Sequence, residues 1–430
     1  MGFYITTEIR TTITTVKKNK NRILRVSDQR ASHVWLKKGK TMTFKLEDLK
    51  KFKTPENSGA FGSIHFLEKY DFGNADGQLK SCFVVKVQSR KWEAGSTMDI
   101  KERCFGYNEL VTLQYKRLLK ASDPMHSNLY VNHFYFSSED KPSKFDLYIV
   151  LRKCEVIISN LIEKVHHLKS GHTYDKNFVA SEKFPTSVLV SICQLFYDGI
   201  GFIHNDVKPQ NMGFTIRNGE PHIEYIDYGS LNMNQDTERD DAEYSDFPST
   251  MLFWSPNKVP SLDIDVSEFI ESDDMSMQDI IIDENSLVKT MKTTCKKSKP
   301  NFRIGVGDNF WAQCQTVYEC ILGQNPVLFY AFGRQDIAKD NKTRLTAIFR
   351  TIKETNFFEK FIESDIYQNM YKDDPKFAPV LTFLKLGFDQ DPAKRENAAR
   401  RSSELGKIFY AKPNPPNLKQ DLAKYYPIFE

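Results

Sequence analysis

No stretch of the chain approaches the about 18 to 20 consecutive apolar residues that a membrane span needs, and the N-terminus has no apolar run of the signal-peptide kind. A cytoplasmic or nuclear protein without a membrane span is expected. Cysteine is scarce: the seven (Cys82, Cys104, Cys154, Cys193, Cys295, Cys314, Cys320) are scattered, with no CxxC pair and no closely spaced histidine. That excludes a disulfide scaffold and a zinc site and predicts buried free thiols. Charge of one sign is lacking as well, since 60 Lys and Arg against 56 Asp and Glu leave only +4. Direct nucleic-acid binding is not expected on such a balance. What is present, 40% hydrophobic and 27% charged residues, can bury a core without disulfides or metal. At about 150 residues per domain the 430 residues make two or three domains or one large two-lobed unit.

Along the chain the periodicity changes. Residues 1–40 read as an N-terminal extension, strand-like in ITTEIRTTITTV and basic at Lys17–Arg22. From 41 to 151 short β runs (IHFLEKY, SCFVVKVQ, HFYF, FDLYIVLR) alternate with turn chemistry, interrupted by one helical stretch at about 99–120. From 152 to 410 the pattern is mainly helical, as in TSVLVSICQLFYDGIGFI and FWAQCQTVYECILG, where apolar residues recur every three or four positions. A block at about 258–305 opens acidic (Asp263, Asp265, Glu268) and turns basic (Lys296, Lys297, Lys299), and reads as a solvated insertion. The tail, 411–430, starts with a proline-broken linker and ends in aromatics expected to fold back on the body.

The densest chemistry is His204-Asn205-Asp206-Val207-Lys208-Pro209-Gln210-Asn211, followed by Asp227 in Ile226-Asp227-Tyr228-Gly229. Phosphoryl transfer asks for charge management more than covalent chemistry: a carboxylate beside the attacking hydroxyl and oxygen ligands for magnesium. Asp206 can accept or orient the hydroxyl proton, and Lys208 can neutralise the moving phosphoryl group. Asn211 and Asp227 can hold the metal. The proline after Lys208 suits a loop, and the apolar IEYI before Asp227 suits a strand.

With these residues the sequence resembles the eukaryotic-type protein kinase superfamily, and the resemblance runs from about 41 to 405. It implies an α+β, bilobal protein-kinase-like fold, with a small β-rich N-lobe holding one main helix and a larger, mainly helical C-lobe. The family's phosphate-covering glycine loop corresponds to Asn57-Ser58-Gly59-Ala60-Phe61-Gly62-Ser63-Ile64, with Asn57 replacing the first glycine and Ile64 packing on the adenine. Lys86 in VVKV resembles the strand lysine that pairs the nucleotide phosphates. Its helical partner is Glu109, with Glu102 as a rival. Leu151, Lys153 and Cys154 fall where the family binds adenine, the first by its side chain and the hinge residues by their backbone. Thr250 lies five residues before Ser255-Pro256-Asn257, at the position of the threonine that touches both Asp206 and Lys208. Asn309-Phe310-Trp311-Ala312 resembles the central helix motif with Asn for Asp. Asp391-Pro392-Ala393-Lys394-Arg395 resembles the late DPxxR motif, whose glutamate partner is absent from Ser255-Pro256-Asn257. That segment resembles the casein kinase one group, and VVKV and DYG the vaccinia-related kinases.

The resemblance implies a Ser/Thr protein kinase that uses ATP and Mg2+, acts on protein hydroxyls and is monomeric. Asn205 stands where regulated members carry arginine, which implies activity without phosphorylation of residues 230–254. The acidic stretch Asp236–Asp246 favours substrates with basic flanks. Two alternatives stay open: a pseudokinase scaffold, and a small-molecule phosphotransferase of the choline- or aminoglycoside-kinase type.

Overall fold

The computed structural model describes residues 32–35, 41–44, 57–59, 62–66, 83–91, 131–138, 141–169, 175, 177–198, 204, 206–217, 219–227, 250–259, 305–333, 341–401, 415 and 417–430. The expected helix at about 99–120, Glu102, Glu109, Ala60, Phe61, Asn205 and nearly all of 258–305 lie outside the described residues. The protein is a mixed helix-and-sheet chain that divides into two compact units, Met1–Lys153 and Cys154–Glu430. Among the described residues no helix is long and apolar enough to cross a membrane.

In the first unit, β1 (Ser32–Trp35) and β2 (Thr41–Phe44) pair antiparallel. A five-stranded antiparallel sheet follows. It comprises β3 (Asn57–Gly59), β4 (Gly62–Phe66), β5 (Phe83–Lys91), β6 (Val131–Ser138) and β7 (Lys141–Arg152), in the order β3-β4-β5-β7-β6. The strand β5, FVVKVQSRK, opens with the β-branched residues that a pleated, packed surface favours. Val84, Val85 and Lys86 are all buried there, so both faces of the strand are covered at its start.

The second unit carries a three-stranded sheet and all the helices among the described residues. A short β8 (Val156–Ile157) leads into α1 (Ile158–Val165), whose Ile158, Leu161, Ile162 and Val165 form one buried stripe. Next come α2 (Thr186–Asp198) and the hairpin of β9 (Met212–Arg217) with β10 (Glu220–Tyr225). The centre is α3 (Val306–Leu322), buried on nearly every side. It starts where Asp308 Oδ2 accepts the Gly305 N–H at 2.8 Å, satisfying a first-turn donor. It stops at Gly323 (φ 74°), where a β-carbon would come within 2.9 Å of Phe178 and His166.

Against α3 pack α2, α4 (Pro326–Phe332), α6 (Phe357–Glu363), α7 (Ala378–Gly387) and α8 (Pro392–Arg401), while α5 (Asn341–Glu354) packs on α4. Phe310 stacks on Phe196 of α2 at 4.7 Å between ring centres, and Trp311 meets Phe357 and Phe388 edge-on. Each such buried aromatic contributes on the order of 2–3 kcal/mol through area removed from water. The tail folds back as expected: in α9 (Leu418–Ala423) Leu418 and Leu422 are buried, as is Phe429 beyond it. Ser187 of α2 donates to Asp421 at 2.7 Å, and the Lys164 ammonium lies 3.8 Å above the Tyr426 ring. Cys193, Cys314 and Cys320 are free and buried.

Candidate active site

Asn211 and Asp227 are far apart in sequence but are brought to one end of the same hairpin. Pro209–Asn211 forms a 3-10 turn, with proline at the position where its missing N–H costs nothing. β9 starts at the next residue, and its Met212 pairs with Tyr225, the last residue of β10. The Ile226 N–H then donates to Asn211 O at 3.0 Å, so Asp227 leaves the ladder beside Asn211. The expected loop-then-strand setting of the two is therefore present.

Asp206 is buried and fully engaged. Its Oδ1 accepts from the Thr250 N–H at 3.1 Å and the Thr250 hydroxyl at 2.7 Å. Its Oδ2 accepts from Asn211 Nδ2 at 2.8 Å and faces the Lys208 ammonium at 3.1 Å. Lys208 Nζ also donates to Thr250 Oγ1 at 2.6 Å, which closes a triangle of ammonium, hydroxyl and carboxylate. A carboxylate has about four lone-pair positions, and four donors surround this one. So Asp206, Lys208 and Asn211, predicted from one motif, and Thr250, predicted from a separate segment, form one connected group.

Asn211 Nδ2 donates both to Asp206 Oδ2 and to Asp206 O, at 2.8 Å each. With both amide hydrogens committed, Oδ1 is the atom of this side chain left for a ligand, and it is an oxygen. A hard cation such as magnesium takes oxygen ligands and keeps waters and substrate phosphate oxygens in its shell, so one amide oxygen and one carboxylate fit it. Among the described residues no group of three or more His, Cys, Asp or Glu side chains is gathered as for a metal held by protein alone.

In the first unit the register sets Ile64 directly opposite Lys86, and Lys86 opposite Ile149; Val84 lies opposite both Phe66 and Leu151. Because side chains alternate along a strand, Ile64, Phe66, Val84, Lys86 and Leu151 share one face of the sheet. Three predicted nucleotide-binding residues, Ile64, Lys86 and Leu151, are thus neighbours. Lys86 is only 5% exposed. Lys153 Nζ lies 5.0 Å over the Phe66 ring. Asn57, Ser58 and Gly59 pair with Ile64, Ser63 and Gly62, so the two loop glycines face each other across the ladder.

Cys154 adds something not foreseen for a residue expected to act through its backbone. Its thiol faces the carbonyls of Val156 and Phe214 at 3.4 Å each, and burial pushes it up to about 12, so it stays protonated. It also fills the space beside Gly213, where a β-carbon would come within 2.2 Å of the sulfur.

Other residues were misassigned or missed. Lys258 and Val259, placed in the solvated insertion, are buried. Lys258 is the last residue of the 3-10 turn Pro256–Lys258 of the packed body. Burial pulls its ammonium below the ordinary lysine range, opposed by the charges of Asp308 and Asp206. Asp308, next to the Asn309 that stands in for the motif's aspartate, accepts from Ser255 Oγ and from Asn257 Nδ2. Arg395 is wholly buried, and its missing glutamate is replaced by Asn257, whose Oδ1 accepts from Arg395 Nη2 at 2.5 Å. An acidic residue three places after a glycine, just ahead of an apolar helical run, is a helix-start signature, and it could have singled out Asp308.

In the comparison with known proteins, no protein-family model and no curated protein matches the chain.

Proposed function

We propose that the protein is a Ser/Thr protein kinase, transferring the γ-phosphate of ATP to protein hydroxyls with magnesium. The observation that carries this reading is the closed group of Asp206, Lys208, Thr250 and Asn211, with Asp227 leaving the same hairpin end. A carboxylate fixed in one orientation by these donors is suited to direct an attacking hydroxyl, and it would accept the proton once that hydroxyl takes the place of one of the four. Lys208, 3.1 Å from that carboxylate, would offset charge on the transferred group. Asn211 Oδ1 and Asp227 would hold the magnesium, which, when bound, would neutralise phosphate charge.

In the first unit, the apolar face around Ile64 and Leu151 suits a purine, and the Lys86 ammonium suits phosphate oxygens. The finer reading of the fold, a small β-rich lobe and a larger helical lobe of the protein-kinase kind, belongs to this proposal. So do the monomeric state, a cytoplasmic or nuclear location, and activity without phosphorylation of the 230–254 segment. The acidic residues Asp236, Glu238, Asp240, Asp241, Glu243 and Asp246 support a preference for basic flanks.

The test is transfer of labelled phosphate from ATP to basic proteins, acidic proteins and small alcohols, comparing the wild type with Asp227→Ala. Label on Ser and Thr of basic proteins, lost in the variant, is expected. Label on small alcohols alone would replace this reading with a small-molecule phosphotransferase. No transfer at all would leave a scaffold.

A further inference from the structure

Thr250 is only as well placed as the segment that carries it, and residues 250–259 are held by a buried polar cluster at the start of α3. Asp308 Oδ1 takes the Ser255 hydroxyl and, at 2.9 Å, Asn257 Nδ2. The other end of the Asn257 amide accepts from Arg395 Nη2 at 2.5 Å. That guanidinium is fixed in turn by Gly307 O at 3.1 Å and Asp389 O at 2.7 Å. Ser255 and Arg395 are 0% exposed and Asp308 4%. A carboxylate, an amide and a guanidinium thus stand side by side, the amide turned so that each end meets its complement, and Arg395 Nη2 also lies 3.9 Å from Asp308 Oδ1.

Such a cluster is a costly way to fill a core, because both charges lose their water. What it supplies is register. A one-residue slip would set Trp254 or Pro256 against Asp308, and neither offers what Ser255 gives. The register reaches Thr250 through short, bonded steps: Lys258 N–H to Ser255 O at 2.9 Å, Trp254 N–H to Met251 O and Phe253 N–H to Thr250 O, both at 3.0 Å. At the far end Thr250 donates twice to Asp206. Lys258, buried in the same stretch, lies within electrostatic reach of Asp308 and Asp206 together.

We infer that Asp308 and Asn257 are positioning residues: with Arg395 as counter-charge they act through Ser255 and two 3-10 turns to hold Thr250 on Asp206. The inference rests on the kinase reading above, in which Asp206 handles the hydroxyl proton.

Ser255→Ala and Asn257→Ala cut the link while leaving the Asp308–Arg395 charges in place. Asn257→Asp combined with Asp308→Asn puts the carboxylate directly on Arg395 and returns an amide donor from position 308. Two measurements apply to each: hydrogen exchange at the Thr250 amide, and steady-state ATP turnover with magnesium. In the alanine variants that amide is expected to exchange about 10-fold faster or more, while the β9–β10 ladder keeps its protection. The kcat is expected to fall about 30-fold with KM for ATP within about two-fold, the pattern of an interaction needed only in the transition state. The paired exchange is expected to restore both to within about three-fold, where either of its single substitutions does not. Unchanged exchange at Thr250 in the alanine variants overturns the inference, as does a paired variant no better than its singles. Faster exchange that the pair restores, in a protein whose wild type turns over no ATP, upholds the clamp and refutes the kinase reading.

Discussion

Thr250 grips Asp206 twice on one oxygen, its N–H at 3.1 Å and its hydroxyl at 2.7 Å both ending on Oδ1. The same hydroxyl is the acceptor for Lys208 Nζ at 2.6 Å, so it orders the ammonium as well as the carboxylate. Thr250→Val keeps the shape and the N–H but removes the hydroxyl. Single-turnover phosphate transfer is expected to slow about 100-fold, within the range for a lost preorganised donor. Thr250→Ser, which keeps the hydroxyl, is expected to stay within about five-fold. Equal rates for the two would show that the hydroxyl is idle.

Asn211 holds Asp206 from the other side while presenting its own oxygen. Asn211→Ala removes two hydrogen bonds and, with them, the oxygen proposed to hold magnesium. The magnesium concentration for half-maximal turnover is expected to rise about 10- to 100-fold, as for other losses that disturb a metal's surroundings. Titration of activity with magnesium at saturating ATP reads this directly.

Glu319 sits in the central helix with its carboxyl desolvated, accepting from Asn325 Nδ2 at 3.1 Å, and burial pushes it up from 4.5 to about 7. A carboxyl whose pKa is higher folded than unfolded binds its proton more tightly in the native state. Its contribution is therefore full below about 4.5 and is lost as pH rises through about 7. The loss is at most about 3 kcal/mol, since each pKa unit is worth 1.36 kcal/mol. Glu319→Gln should flatten this part of the profile and raise the denaturation midpoint at pH about 8. A variant that keeps the wild-type slope between pH 5 and 8 would contradict the assignment.

Gly213 has no room for a side chain, since a β-carbon would meet Cys154 Sγ at 2.2 Å and Val156 O at 2.4 Å. Gly213→Ala is expected to cost about 1–3 kcal/mol by overpacking. Adding Cys154→Ala removes the sulfur but not the carbonyl, so only part of the loss should return. Denaturant unfolding of the single and double variants measures both.

Much of the second unit's site could be read from the sequence because its residues lie close in the chain. Asp206, Lys208 and Asn211 span six residues, and the spacing of Thr250 to Ser255 and Asn257 was set by a single short segment. The central helix was legible from its apolar recurrence, and β5 from its run of β-branched residues. Contacts between distant segments were not. Nothing local in Asp391-Pro392-Ala393-Lys394-Arg395 says that Arg395 meets Asn257, 138 positions away. Asp308 was undervalued because Asn309 beside it fitted the expected motif, whereas its own cap-like spacing from Gly305 pointed to structure. Lys258 was misplaced for a related reason, since a lysine at the edge of a charged block reads as solvated until its neighbours are known.

The central claim is that Asp206 handles the hydroxyl proton and does not serve merely to hold the loop together. Asp206→Asn keeps the size but removes the charge, and its Nδ2 turns one of the two accepting oxygens, each of which serves two donors, into a donor. Calorimetric binding of ATP with magnesium and single-turnover transfer to a basic protein substrate, measured on the same preparation, separate the two roles. The account predicts nucleotide affinity within about three-fold of wild type and transfer slowed about 1,000-fold or more. Transfer within about ten-fold of wild type, with the nucleotide still bound, would contradict it.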